Sequence, residues 1–229
     1  MGIYGHIICF IQISPSLGDK TNKGYHHMEV IRESSEDEMI ALFLQTEIRS
    51  DRYHNEISGI ITDLGVQESI ILEPDISSDE ENILRKKVLA RFRGYGEDRK
   101  IFEGFPGDVR WVWAAMTISE LEKVKYINYD YWVELSGGSR LAKDAAVNIK
   151  QGVEIYGVSN DGFLAGARAL SDGCTFPPII LISDYEEIIV LEGHFRLTEF
   201  MLEPDAIRDK LKVLIGFTSR EKLMKWSLY

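Results

Sequence analysis

The chain has 229 residues, 45% apolar and 28% charged, enough for an ordinary core in one large domain or two small ones. A formal net charge of −11 argues against broad nucleic-acid binding, which needs a surplus of Lys and Arg against phosphates. No apolar stretch reaches the length of a membrane span, and Cys9 and Cys174 stand far apart with no metal spacing, as reduced thiols of a cytoplasmic protein do.

Ile3 to Ile13 is apolar but interrupted by Gly5, His6 and Gln12, and has no basic start of a secretory signal. It reads as a first strand, or as an extension ahead of a domain that begins near Met28. Ser14 to His27 reads as a loop. Ser35 with Glu38 three residues on is a capping-box pattern, so Ser35 to Arg49 is expected to be helical, with Met39, Leu42 and Phe43 on its apolar face. His54 to Leu64 reads as a second helix ended by Gly65. Val66 to Leu72 is a short β-branched run, expected as a strand and stopped by Glu73-Pro74. Ser78 to Arg93 carries another capping box and an apolar stripe of Ile83, Leu84, Val88, Leu89 and Phe92.

The middle of the chain is rich in aromatic residues, among them Phe102, Trp111, Trp113, Tyr126 and Trp132. They read as a core layer, with a base-stacking platform as the sharper alternative. Thr117 to Lys123 is expected as a short helix, Ser136 to Arg140 as a polar turn, and Leu141 to Ile149 as a helix. The last third has α/β rhythm. Strands are expected over 179–182, 187–191 and 212–217, with a helix from Leu197 to Leu202 and a terminal helix or tail from Arg220. The expected fold is α/β (α+β): a small mixed sheet within residues 111–229 and a mainly helical N-terminal region over 1–110.

Glu192-Gly193-His194-Phe195-Arg196 follows an apolar strand and opens a helix. Such a turn aims backbone N–H groups outward at the positive end of a helix, a suitable place for phosphate. Arg196 would add a permanently charged fork. Glu192 is a candidate general base or Mg²⁺ ligand, and His194 a candidate acid, base or phosphate donor. Each has a plainer reading. Gly193 could serve only a positive φ, Arg196 could pair with Glu199 or Glu203, Glu192 could be a solvated strand end, and His194 a satisfied buried histidine. Ser139 and Arg140 could form a second phosphate-contacting loop or a mere connection. Arg91, Arg93 and Arg99 around Gly94-Tyr95-Gly96 could help bind an anionic substrate, or complement a helix dipole. No zinc spacing occurs, and no Walker-type Gly-x-x-x-x-Gly-Lys-Ser/Thr; His26-His27 stands too isolated for a metal site.

Pro178-Ile179-Ile180-Leu181, a short turn, then Ile189-Val190-Leu191-Glu192-Gly193-His194-Phe195-Arg196-Leu197 resembles the core of the ParB/sulfiredoxin superfamily over roughly residues 124 to 220. The resemblance is nearest to the free-serine-kinase and uncharacterised ParB-like branches. It implies a nucleoside triphosphate (ATP or CTP) with Mg²⁺, its phosphates held by Gly193 and Arg196. Three departures narrow it. His194 stands where sulfiredoxins carry their catalytic Cys, which argues against sulfinic-acid reduction. Glu199 takes a position usually held by Ala in partitioning proteins. About thirty residues follow Arg196, too few for the helix-turn-helix and dimerisation modules of those proteins. The expected function is nucleotide binding, with phosphate transfer to a small hydroxylated molecule. The alternative is a nucleotide-gated regulator or protein-interaction module of a defence or toxin–antitoxin kind. A nuclease ranks last, because neither clustered metal-binding carboxylates nor a basic track is evident.

Overall fold

Five strands form one mixed sheet in the computed structural model, which describes residues 28–229. The strand expected over Ile3 to Ile13, the loop after it and Cys9 lie outside the described residues. The strands are β1 (Glu29–Glu33), β2 (Arg110–Met116), β3 (Ile180–Ser183), β4 (Ile188–Glu192) and β5 (Leu211–Phe217), in spatial order β1-β2-β5-β3-β4. Only the β3–β5 pair is parallel. Lys125 closes the outer edge of β4: its N–H donates to the Ile188 carbonyl (2.8 Å), and its carbonyl accepts from the Val190 N–H (2.9 Å). That leaves no unpaired ladder at this part of the edge.

The sheet is covered on both faces, and strand alternation decides which side chain meets which cover. Trp111, Trp113, Ile180, Ile182, Ile189 and Leu214 point to an N-terminal helical layer. Its members are α1 (Glu36–Ile48), α2 (His54–Leu64), α3 (Ser69–Leu72) and α4 (Asp79–Arg93). Val112, Ala114, Leu181, Val190, Val213 and Ile215 point the other way. There they meet α5 (Ile118–Leu121), α6 (Asp130–Leu135), α7 (Ala142–Lys150), α8 (Asp161–Ser171) and α9 (His194–Leu202). The short α10 (Arg220–Leu223) follows β5. The protein is thus of the α/β class, with a mixed sheet and a mostly helical N-terminal part. No helix among the described residues is long and apolar enough to cross a membrane.

Local chemistry explains the helix boundaries. Ser35 Oγ accepts from the Glu38 N–H (3.1 Å) and Ser78 Oγ from the Glu81 N–H (3.3 Å), which satisfies donors left over in each first turn. The Glu38 carboxylate does not return to Ser35. It accepts instead from Arg32, Ser34 and Trp113 Nε1 (2.9 Å), tying α1 to β1 and β2. Helices α2 and α4 end at Gly65 and Gly94.

Two expectations are corrected. The run Val66 to Leu72 is not a strand: its second half is α3. Ile70 and Ile71 are buried against α1 and α4, the Arg85 guanidinium takes the Ile70 carbonyl (2.8 Å), and Gln45 takes that of Leu72 (3.2 Å). Side chains thus satisfy backbone groups that a sheet partner would otherwise need to satisfy. In α4, Ile83 is 55% exposed while Arg85, one turn away from Leu89, is fully buried. Its guanidinium also reaches the Asp75 carbonyl (2.8 Å), Glu81 and Asn82.

Candidate functional site

Strand β4 runs directly into α9 through Gly193, whose φ of 94° lies in the left-handed region. A β-carbon there would stand 2.7 Å from Ile179 Cγ2 and 2.9 Å from an Arg196 terminal nitrogen, so both conformation and space demand glycine. Just before the turn the ladder slips. Ile182 faces Ile189 and Leu181 faces Val190, but Ile180 faces Glu192. Leu191 is the extra residue of a bulge, which re-aims the strand's last side chain. Glu192 therefore shares a face with Ile180, toward the N-terminal helices, instead of falling on the α9 face as strict alternation would require.

Arg196, one turn into α9, reaches back over the bulge. One terminal nitrogen donates to the carbonyls of Pro177 (2.9 Å) and Pro178 (3.1 Å), and the other to Glu192. The pair is nearly buried, with side chains 11% and 9% exposed. The alternative partners Glu199 and Glu203 are not the ones it bonds. Burial pushes the Glu192 carboxyl up, against the pull of Arg196, the Gly193 N–H and Arg93. A carboxylate of the chain itself thus lies beside the guanidinium at the N-terminus of α9, where an external anion would bind.

His194 turns to the opposite side of the sheet. Its ring stacks on Trp132 (centroids 5.3 Å apart) and beyond it on Tyr126 (6.2 Å). Nε2 is buried and, among the described residues, has no hydrogen-bond partner. Burial, together with the nearby Arg196 charge, lowers its pKa to about 3, so the ring is neutral at physiological pH. A neutral ring with one unused nitrogen can exchange a single hydrogen bond with a ligand, but it is too weak a base to gather a proton near neutrality.

Ser139 and Arg140 are brought into the loop beside Tyr126. Ser139 Oγ donates to the Ser136 carbonyl (3.1 Å) and accepts from the Leu141 N–H (3.1 Å). Arg140, at φ 63°, donates through Nε to the Tyr126 carbonyl (2.8 Å). Their bonds hold this loop against residue 126 and do not extend to the Gly193 turn.

Two further carboxylates lie near the turn: Glu47, which was not singled out in the sequence, and Glu199, which was weighed there as a partner for Arg196. Glu47 of α1 pairs with Arg93 of α4 at 3.4 Å. Burial and the Glu192 charge raise Glu47 to about 7, while Arg93 and Arg196 oppose the rise. Glu47 follows Phe43 and Leu44 by four and three residues and precedes Ile48, so it lies on the buried stripe of α1. A carboxylate at that position was the readable signal. Glu199 is 5% exposed and packs on Gly166 of α8; burial raises it to about 8, against the pull of Arg196.

Among the described residues, no three His, Cys, Asp or Glu side chains gather as a metal site. No family model, no curated protein and no solved structure matches this chain.

Proposed function

We propose that this protein binds a nucleoside triphosphate, ATP or CTP, with Mg²⁺ at the turn between β4 and α9, as a phosphotransferase acting on a small hydroxylated molecule. The observation that carries the reading is the junction itself. A glycine-only turn opens α9 between Glu192 and a nearly buried guanidinium, which fits an anion. The bound triphosphate with Mg²⁺ supplies the transferable phosphoryl group, and one carboxylate plus phosphate oxygens is an ordinary donor set for that ion. Arg196 and the first N–H groups of α9 hold phosphate oxygens. His194, neutral and turned to the opposite face, packs on Trp132 and Tyr126 and supports the turn without a phosphate contact. Glu192, held above the usual carboxylate range, takes the proton from the acceptor hydroxyl.

A second reading is a nucleotide-gated module without turnover. It is favoured by the engagement of Glu192 with Arg196, because a ligand that displaces Glu192 changes the contacts of the whole turn. Calorimetry with each nucleoside triphosphate and Mg²⁺, run beside an assay for released nucleoside diphosphate, separates the two. Turnover supports the phosphotransferase, and binding alone supports the module. Arg196→Ala should weaken binding by roughly 1.5–3 kcal/mol, the scale of a hydrogen bond to a charged group. Unchanged affinity in a folded Arg196 variant would show that this arginine is purely structural and would remove the nucleotide reading.

A further inference from the structure

Arg93 is the least satisfied cation close to the turn. It sits at the end of α4, with its side chain 19% exposed and its guanidinium stacked 4.2 Å from the Tyr53 ring centroid and 4.1 Å from that of Phe92. Stacking on rings fixes the plane of the fork and strips water from its faces. Yet among the described residues its one hydrogen bond is the long contact to Glu47 at 3.4 Å, and its Nε is buried with no partner. Arg85 and Arg196, by contrast, are committed to several carbonyl and side-chain oxygens each. An oriented guanidinium with spare donors is costly to bury unless something uses them.

The surroundings indicate what that something is. The bulge at Leu191 sends Glu192 to the face of the sheet covered by α1 and α4. There the Glu192 and Glu47 carboxylates repel each other, and each is attracted by Arg93 and Arg196. Two guanidinium groups thus flank two carboxylates drawn from α1, α4, β4 and α9. All four side chains keep a small exposure, between 9% and 19%. Two forks that each hold a carboxylate in the free protein have the charge and donor geometry that a multiply charged phosphate requires.

We propose that Arg93 is a second phosphate-binding residue, and that Glu47 and Glu192 occupy in the free protein the places taken by the oxygens of the nucleotide's terminal phosphates. The inference rests on the nucleotide reading above and extends the site into the N-terminal helical layer. It assigns opposite effects to the two members of one ion pair. Loss of Arg93 removes donors from the ligand, whereas neutralising Glu47 removes a competitor for them.

The test is calorimetric titration of the full chain with ATP, CTP and inorganic pyrophosphate, each with Mg²⁺, on the wild type and on Arg93→Gln, Arg93→Lys and Glu47→Gln, with thermal melts alongside. Arg93→Gln should bind roughly tenfold or more weakly, Arg93→Lys should recover part of the loss, and Glu47→Gln should bind more tightly than the wild type. A purely structural pair would lower the melting temperature in both variants and leave affinity alone. Folded Arg93→Gln with wild-type affinity overturns the proposal, as does weaker binding by Glu47→Gln, which also decides the matter if Arg93→Gln does not fold. If the wild type binds and Arg196→Ala does not, while the Arg93 and Glu47 variants match the wild type, this inference fails and the nucleotide reading stands. If the wild type binds none of the three probes, both fail.

Discussion

Glu199 of α9 lies directly on Gly166 of α8, so closely that a β-carbon at 166 would overlap its carboxyl group. Gly166 is helical, and its role is to let the two helices approach. Gly166→Ala should therefore lower stability, by about 1–3 kcal/mol for an overpacked contact, despite alanine's better helix propensity. Denaturant unfolding reads this, and a stabilised Ala variant would show that α8 and α9 can separate at little cost.

The same carboxyl makes stability depend on pH. Its pKa is raised from an ordinary 4.5 to about 8 by burial, so the folded state binds the proton more tightly than the unfolded one. The favourable contribution is fully present below pH 4.5 and is lost as pH rises through about 8. Glu199→Gln should flatten the stability profile between these limits, with a change on the order of a few kcal/mol. An unaltered slope in the Gln variant would assign the titration to another group.

Gly193→Ala should cost about 1–3 kcal/mol, because alanine must adopt a φ of 94° and press on Ile179 and Arg196. Paired chemical denaturation curves measure it. A variant as stable as the wild type would mean that the turn relaxes to another conformation.

Arg85→Ala should destabilise by roughly 3–5 kcal/mol, the scale for breaking a buried charged network by removing one member. The carbonyls of Ile70 and Asp75 lose their donor, and α3 loses its tie to α4. Hydrogen exchange of residues 69–75 should rise ahead of the rest of the chain. Protection that falls evenly everywhere would contradict this local role.

How much of this was legible varies by element. Ser35, Ser78, Gly65 and Gly94 announced α1, α2 and α4 because caps are local chemistry. The runs at 179–182, 187–191 and 212–217 announced β3, β4 and β5 because continuous apolar residues suit strands covered on both faces. Strand β2 was hidden inside an aromatic-rich stretch in which Trp111 and Trp113 serve one face and Val112 and Ala114 the other. Strand β1 has five exposed residues, and its two apolar ones, Val30 and Ile31, are adjacent and do not alternate with polar ones. Helix α8 gave little to read although its buried Phe163, Gly166, Ala167 and Leu170 fall at helical spacing, because its small residues carry little apolar weight. At the site, the Gly193 turn and Arg196 were readable from order alone. The destination of Arg196 was not, because it lies on the Pro177 and Pro178 carbonyls, 19 and 18 residues away. Nor was the approach of Glu47, which depends on how two layers stack.

The bulge at Leu191, more than the composition of β4, decides where the acid goes. Deleting Leu191 would remove the bulge and set the acid directly after Val190, still opposite Ile180 and still on the α1–α4 face, because the bulge only absorbs one extra residue. A chain of this fold with the same count of residues paired without a bulge would keep Glu-Gly-x-x-Arg to the letter and yet turn its acid to the α9 layer, away from Glu47 and Arg93. Between such chains, the pairing register at the end of β4 distinguishes sites that an identical motif would class together.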